Sequence, residues 1–127
     1  MSVESGLRGS ADMVVGEADT AAAVGSGDVP VLATPRLVAL LEAAAVAALR
    51  GALDAGSTSV GTGVEIDHIS PTPVGWEVHA EAVLESVNGR HLRFRVRAWD
   101  VRGDVANGVH HRAVVDRERF LARATGA

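Results

Sequence analysis

The feature that most constrains the fold is a change in the spacing of apolar residues at Gly56. Before it, residues 37–49 are apolar at nearly every position, and Glu42 is the one charge between Arg36 and Arg50. After it, apolar and polar residues alternate. A continuous apolar run predicts a helix enclosed by other structure, whereas alternation predicts strands with one buried face. We therefore expect one buried helix wrapped by a sheet.

The helix is predicted over residues 35–55. Thr34 is a suitable N-cap because its hydroxyl can accept a hydrogen bond from the first turn, and Pro35 at the first helical position has no N–H to leave unpaired. Gly56 is a suitable stop. The many alanines indicate that neighbouring elements approach the helix closely, since a methyl side chain leaves little space between two backbones.

Four strands are predicted after the helix, at residues 58–69, 76–87, 91–101 and 105–116. A first strand is expected at residues 11–18, and Val60, Val64 and Ile66 are assigned to one face of the second. The predicted fold is thus α+β, with an antiparallel sheet of about five strands around the helix. Because such a sheet has open edges, we expect a homodimer or a higher homo-oligomer to cover one of them.

The hairpin around residues 88–90 can be tested for register. A three-residue loop that pairs Val87 with His91 places Leu84 opposite Phe94 and Glu85 opposite Arg93, so apolar side chains share one face. A two-residue loop would move each apolar residue of one strand opposite a polar residue of the other. We therefore predict the three-residue loop, which also sets Ala82 against Val96 and Glu81 against Arg97.

Composition excludes several classes of function. The chain has no cysteine and no lysine, which excludes disulfides, thiolate zinc sites, a cysteine nucleophile and Schiff-base chemistry. Its net charge of −4, without a long basic run, argues against nucleic acid as a partner. No apolar stretch approaches the length of a membrane span, so we expect no membrane contact and a cytoplasmic protein. Residues 1–10 are expected to be a flexible leader, 11–121 the domain and 122–127 a tail.

Three residues could carry chemistry. Glu42 is the one charge in an apolar helix, so it is expected to be paired, to be protonated, to face a cavity or to lie on an exposed seam. His68 follows Ile66 on the apolar face of its strand, where a histidine is either structural or an acid–base group. Thr34 is a cap in the simplest interpretation, but it also stands where helix N–H groups can hold an oxyanion.

Two further pairs are notable. Gly61 and Gly63 interrupt a predicted strand, which indicates a bulge or the close approach of a backbone or a ligand. His110 and His111 are adjacent on a strand, so their side chains leave opposite faces and cannot bind one metal together. No metal site and no cofactor are predicted.

Arg93, Arg95 and Arg97 form a basic stripe on one face of the fourth strand. Pairing with Glu81 and Glu85 of the neighbouring strand is the simpler interpretation. Contact with a phosphate is the alternative.

Three segments resemble a known family: residues 31–42 (VLATPRLVALLE), residues 60–68 (VGTGVEIDH) with PTPVG after them, and residues 108–115 (GVHHRAVV). Together they are similar to the hotdog-fold acyl-CoA thioesterases, and among them to the fluoroacetyl-CoA thioesterase-like family. The resemblance covers roughly residues 11–121. It implies a dimeric hotdog fold, with a long helix wrapped by an antiparallel sheet.

The resemblance also implies site residues. Thr34, Glu42 and His68 match the catalytic set of the family, Gly61 matches a glycine beside the acyl pocket, and Arg112 matches an arginine near the site. Residues 21–33 contain no aromatic residue, and Pro35 and Arg36 replace small and aromatic residues after the threonine. The reaction type is therefore carried over, and selectivity for a fluorinated acyl group is not.

The expected reaction is hydrolysis of a small or medium acyl-CoA to a free acid and CoA. His68 would be the base, and Glu42 its partner or a nucleophile. Two alternatives stay open: a non-catalytic module that binds acyl-CoA or another small ligand, and an enoyl-CoA hydratase. The adjacency of Asp67 and His68 weighs against hydration, because their side chains would leave opposite faces of a strand.

Overall fold

The computed structural model describes residues 3–126, which form five strands and three helices. The strands are β1 (Arg8–Val14), β2 (Ser57–His68), β3 (Glu77–Asn88), β4 (His91–Asp100) and β5 (Gly103–Asp116). The helices are α1 (Ala21–Val24), α2 (Thr34–Ala48) and α3 (Arg117–Thr125), with a 3-10 turn before α1. The strands form one antiparallel sheet in the order β1-β3-β4-β5-β2, so the predicted architecture is confirmed. Within residues 3–126, no helix is long and apolar enough to span a membrane.

The core lies between α2 and the inner face of the sheet. Helix α2 contributes Leu37, Leu41, Ala44 and Ala45, all fully buried, and β3 and β4 contribute buried residues at every second position: Val78, Ala80, Ala82, Leu84, Leu92, Phe94, Val96 and Ala98. This alternation is what a half-buried sheet requires.

The alanines of α2 permit a very close contact with β1. A Cβ atom placed on Gly9 would overlap the backbone of Ala44 and Ala48. The backbone of β1 therefore lies directly on the helix, as the alanine-rich sequence predicted.

Both ends of α2 differ from the prediction. The N-cap is Ala33, which has no side-chain cap, and Thr34 is already inside the helix. The prediction of Thr34 as the cap is wrong because its hydroxyl bonds to a residue of β2 instead. The helix ends at Ala48 rather than residue 55, and Gly51, with φ +80°, takes the left-handed conformation that follows many helix ends.

The sequence predicted that helix α2 is enclosed on all sides, but within one chain it is not. Arg36, Ala39, Ala43 and Val46 are exposed, and Val46 keeps 45% of its surface. These residues recur at helical spacing and form a stripe of mostly small apolar side chains on the face turned away from the core. Periodicity could not reveal this face, because its residues other than Arg36 are as apolar as those of the core.

The β3–β4 hairpin has a two-residue loop, so the predicted three-residue loop is wrong. Asn88 pairs with His91, and Gly89 has φ +62° at the first turn position, which favours glycine. A bulge at Glu85 then restores the register, so Leu84 faces Phe94 as predicted. The two-residue loop and the bulge together give the same pairing of core residues that a three-residue loop would have given.

A second bulge, at Thr62, divides β2. Gly61 pairs with Arg112 and Gly63 with His111, so Thr62 is the extra residue. The bulge places Val60 on the opposite face from Val64 and Ile66, contrary to the prediction that the three share one face.

The ends of the domain also reach further than predicted. Strand β1 begins at Arg8, so residues 8–10 of the expected leader belong to the sheet. Helix α3 runs to Thr125 and takes in most of the expected tail, with Asp116 accepting a hydrogen bond from Arg119 N at 3.0 Å. Met1, Ser2 and Ala127 of these segments lie outside the described residues.

We expect Gly9→Ala to destabilise the protein by about 1–3 kcal/mol, because its methyl group would force β1 away from α2. Ser10→Ala, at the exposed neighbouring position, is the control and should change stability little. Urea unfolding measures both. Equal stability of Gly9→Ala and the wild type would show that β1 is free to shift.

Candidate active site

The residues singled out from the sequence fall into two groups along α2. Thr34, at the first turn, contacts His68 at the end of β2. Glu42, two turns later, contacts Arg112 of β5 beside Gly61 of β2.

The first group is a direct hydrogen bond. Thr34 Oγ1 lies 2.7 Å from His68 Nδ1. The other ring nitrogen, Nε2, is buried and has no hydrogen-bond partner among the described residues. Burial lowers the pKa of His68 below its ordinary value of 6.5, and the backbone of Ser70 works in the opposite direction. The imidazole is therefore held neutral around pH 7.

Several backbone contacts hold Thr34 in place. Ala33 N donates to Asp19 O at 2.8 Å, and Leu32 N donates to Thr72 O at 2.9 Å. Arg36 Nε donates to the Asp19 carboxylate at 2.9 Å. The segment before α2 is thus tied both to the 3-10 turn and to the chain that follows β2, which brings Thr34 and His68 together.

A cavity of about 330 Å³ opens beside this pair. Its lining is mostly apolar and comes from the segment before α2 and the end of β2: Val29, Val31, Leu32 and Ile69 surround Thr34 and His68. A polar pair at one side of an apolar cavity is the usual arrangement for binding a small organic group.

The second group is centred on Glu42. Its Oε2 lies 3.3 Å from Arg112 Nη1 and 3.8 Å from His110 Nε2. The Glu42 side chain keeps 40% of its surface exposed, whereas Arg112 and His110 are buried. Two of the expectations for Glu42 hold together, because it is both paired and on the exposed seam of α2.

Arg112 is fixed by β2. It donates from Nε to Ser59 Oγ at 2.9 Å and from Nη2 to Ser59 O at 3.1 Å. Burial lowers the pKa of Arg112, and the Glu42 carboxylate opposes that shift. The guanidinium stays charged because the ordinary pKa of an arginine is far above neutral pH.

His110 has a defined tautomer. Its Nδ1 lies 2.9 Å from Gly63 O, and a carbonyl oxygen only accepts, so Nδ1 carries the proton. Nε2 then accepts from Arg112 Nη1 at 3.1 Å. Burial is the main cause of the lowered pKa of His110, and Arg112 adds to it. A neutral His110 thus supports the guanidinium from the side opposite Ser59.

Position 61 favours glycine because the Glu42 carboxylate lies very close to its backbone. A Cβ atom at this position would lie 2.5 Å from Glu42 Oε2 and 3.3 Å from His110 Cε1. The bare backbone of β2 therefore lets the carboxylate of α2 approach the sheet. The interpretation of this glycine as the mark of a bulge holds, and the group that approaches it closely is a side chain rather than a backbone or a ligand.

The two groups are separated along one continuous helix. Thr34 and Glu42 are eight residues apart in α2, which is about 12 Å along the axis. Because Thr34 lies within α2, the chain does not fold back to bring the two together. Within one chain they do not converge on one atom.

Sequence reasoning missed two members of the second group, His110 and Ser59. His110 was considered only as a metal ligand together with His111. Its spacing of two from Arg112 on an alternating strand was the available signal, because such residues share a face. Ser59 had no signal, since the bulge at Thr62 determines which face it occupies.

Comparison with known proteins agrees with this architecture. Residues 15–118 match the model of a family described as fluoroacetyl-CoA-specific thioesterase. The chain is 41% identical over 93 residues to the fluoroacetyl-CoA thioesterase of Streptantibioticus cattleyicolor, a match that covers 73% of this chain and 67% of that one.

Solved structures give the same result. A point mutant of the fluoroacetyl-CoA thioesterase FlK in complex with acetyl-CoA superposes with a TM-score of 0.92 at 33% identity, covering 98% of both chains. A thioesterase superfamily member from Thermus thermophilus superposes with a TM-score of 0.89 at 24% identity, covering 97% of this chain and 91% of that one, which shows the shared fold. The chain therefore belongs to the fluoroacetyl-CoA-specific thioesterase family and is a hotdog-fold acyl-CoA thioesterase.

Proposed function

We propose that this protein hydrolyses a small or medium acyl-CoA, with Thr34, Glu42 and His68 as its catalytic residues and Gly61 and Arg112 in the substrate site. The observation that carries this proposal is the 2.7 Å contact between Thr34 and a neutral His68 beside an apolar cavity. This arrangement offers a proton acceptor next to a place for an acyl chain.

His68 is suited to act as the general base. A water molecule that gives its proton to the imidazole would attack the thioester carbonyl carbon, and the carbon–sulfur bond would then break. The imidazolium would return that proton to the departing CoA thiolate, so the acid and the free thiol balance. The hydroxyl of Thr34 would orient the ring through Nδ1, or would itself be the group that His68 activates.

The first turn of α2 is suited to stabilise the oxyanion. No side chain caps this helix, so its first N–H groups stay available to a substrate. Pro35 has no N–H, which leaves those of Thr34 and Arg36. The positive end of the helix dipole favours negative charge at the same place.

Glu42 is suited to one of two roles. Its carboxylate either orients and charge-stabilises the reacting groups or attacks the carbonyl to form an anhydride. The ion pair with Arg112 supports both roles, because it holds the carboxylate against Gly61 while leaving it partly exposed.

We propose that the active protein is at least a homodimer that pairs β2 with its symmetry copy. Strand β2 is an edge of the sheet, and residues 61–65 are exposed. Antiparallel pairing would carry His68, at the end of one β2, toward the beginning of the other, where Ser59 and Gly61 hold Arg112 and Glu42. The exposed stripe of α2 would be covered at the same time. A composite site of this kind accounts for the distance of about 12 Å between Thr34 and Glu42 within one chain.

The acyl group is proposed from the cavity. Its apolar lining of valine, leucine and isoleucine fits a short or medium hydrocarbon chain, and the acetyl-CoA complex of a structural relative supports a small acyl group. Because no phenylalanine, tyrosine or tryptophan is among the described residues that line the cavity, we do not extend the fluorinated substrate of the relatives to this chain.

The catalytic assignment is tested by thiol release from a panel of short acyl-CoAs. We expect His68→Ala and Glu42→Gln each to lower kcat by at least about a hundredfold. His79→Ala and Glu77→Gln, on the outer face of β3, are matched controls and should keep wild-type rates. The absence of cysteine from the chain removes any background thiol signal. CoA binding without turnover by the wild type would contradict the proposal and favour a binding module.

Mixing the two inactive variants tests the composite site. If His68 and Glu42 of different subunits act together, each mixed dimer has one intact site, and random mixing should restore about one quarter of wild-type activity. If both residues act within one subunit, every site in the mixture carries a substitution and activity stays absent.

The rate should also depend on the protonation of His68. Only the neutral ring accepts a proton, and burial lowers its pKa, so kcat/KM should fall with decreasing pH only below pH 6.5. The residual activity of His68→Gln should lack this decrease. The test is to measure kcat/KM as a function of pH for the wild type and for His68→Gln with the same acyl-CoA. If kcat/KM fell to half of its maximum at a pH above 6.5, His68 would not be the base.

The position of Glu42 can be tested through the glycines of β2. Gly61→Ala should lower kcat by about a hundredfold, because its methyl group would displace the Glu42 carboxylate. Gly63→Ala is the matched control, since its Cβ would meet only His111, at 3.7 Å. Steady-state kinetics of both variants give the answer, and equal kcat values would show that Glu42 need not touch β2.

A further inference from the structure

The outer face of the sheet carries a row of residues that the mechanism does not use. The row crosses four neighbouring strands, and each of its residues pairs directly with the next: Ser86 of β3, Arg93 of β4, His111 of β5 and Gly63 of β2. Two of the three register shifts of the sheet border the row, one between Leu84 and Ser86 and the other between Gly61 and Gly63. Because bulges redirect side chains locally and are common at functional sites, their position at both ends of one row is notable.

A cavity of about 390 Å³ lies over this row. Small residues at both ends of the row leave it open. Thr62, Asn88, His91 and Arg112 also contribute to its polar lining. Of the described residues that line it, none is acidic, although the chain has 16 acidic residues and a net charge of −4. Arginine, imidazole, hydroxyl and amide groups thus surround one space.

Arg93 differs from the neighbouring arginine of the basic stripe. Arg95 donates two hydrogen bonds to Glu85 Oε2, at 3.0 and 2.8 Å. Arg93 Nε lies 3.2 Å from the other oxygen of Glu85, but it is buried and makes no hydrogen bond among the described residues. One carboxylate is therefore shared by two guanidinium groups, and Arg93, the one that lines the cavity, is incompletely satisfied.

We propose that this cavity binds a phosphate group, held by Arg93 with His91, His111 and the hydroxyls of Thr62 and Ser86. Phosphate offers several acceptor oxygens, and the planar guanidinium can donate to two of them at once. A carboxylate would use only part of this set of donors. The phosphate comes either from the CoA moiety of a substrate, which rests on the proposed function, or from a free phosphate compound.

Binding is tested without turnover. Inorganic phosphate is titrated into the full chain at constant ionic strength, and the backbone amide signals of Gly63, Ser86 and His111 are followed by NMR. We expect saturable shifts in the wild type and binding at least about tenfold weaker in Arg93→Gln and in His111→Gln. Arg95→Gln is the matched control, because it removes an arginine two positions away that does not line the cavity.

Two results would overturn the proposal: no saturable shift in the wild type, or an equal loss of binding in Arg95→Gln. An equal loss in Arg95→Gln would show that phosphate binding depends only on the overall positive charge of this face of the sheet. Urea unfolding of the variants separates a loss of binding from a loss of folding. Because this titration needs no activity, it stays decisive even if the protein releases no thiol.

Kinetics then identify the source of the phosphate. KM of Arg93→Gln is measured with acetyl-CoA and with S-acetyl-pantetheine, which lacks phosphates. A KM raised about tenfold for acetyl-CoA alone assigns the site to the CoA phosphates. A KM unchanged for both, with phosphate binding lost in the titration, assigns it to a separate phosphate compound. A KM raised equally for both contradicts phosphate recognition.

Discussion

The close contact between the alanines of α2 and the backbone of β1 determines the rest of the structure. Where Gly9 meets Ala44 and Ala48, no side chain separates helix and strand. This contact sets the depth of the helix in the curved sheet and its rotation about its own axis. The rotation turns Glu42 toward β2, and the first residue of the same helix, Thr34, contacts His68. A larger residue in the contact would therefore disturb the site as well as the core.

The second constraint is the bulge at Thr62. By adding one residue to β2, it changes which side chains face inward before Gly63 while leaving those after it unchanged. Ser59 and Gly61 thereby join Arg112 and Glu42 on the inner side, and His68 keeps its place at the far end. A regular strand would have put Val60 and Thr62 on that side. The site depends on an irregularity of the sheet as much as on its regular pairing.

Much of this arrangement could be predicted from the sequence, because the change of apolar period at Gly56 distinguishes one long helix from four strands. Glu42 and His68 stood out as polar residues in apolar patterns. The bulges at Glu85 and Thr62 could not be predicted, since they satisfy pairing across strands and leave no mark on local periodicity. Thr34 was misassigned as a cap for a similar reason: its hydroxyl bonds to His68, 34 residues away, rather than to its own helix. The exposed stripe of α2 has the composition of a core, so composition could not locate it.

The fit between Gly61 and Glu42 couples the evolution of these two positions. With a glutamate at position 42, every residue other than glycine at position 61 collides with the carboxylate. Space for a Cβ opens only if the glutamate side chain moves away or a shorter side chain replaces it, and either change withdraws the carboxylate from the sheet. Neither position can therefore change first without loss, and the pair is expected to persist together or to be replaced together as the family diverges.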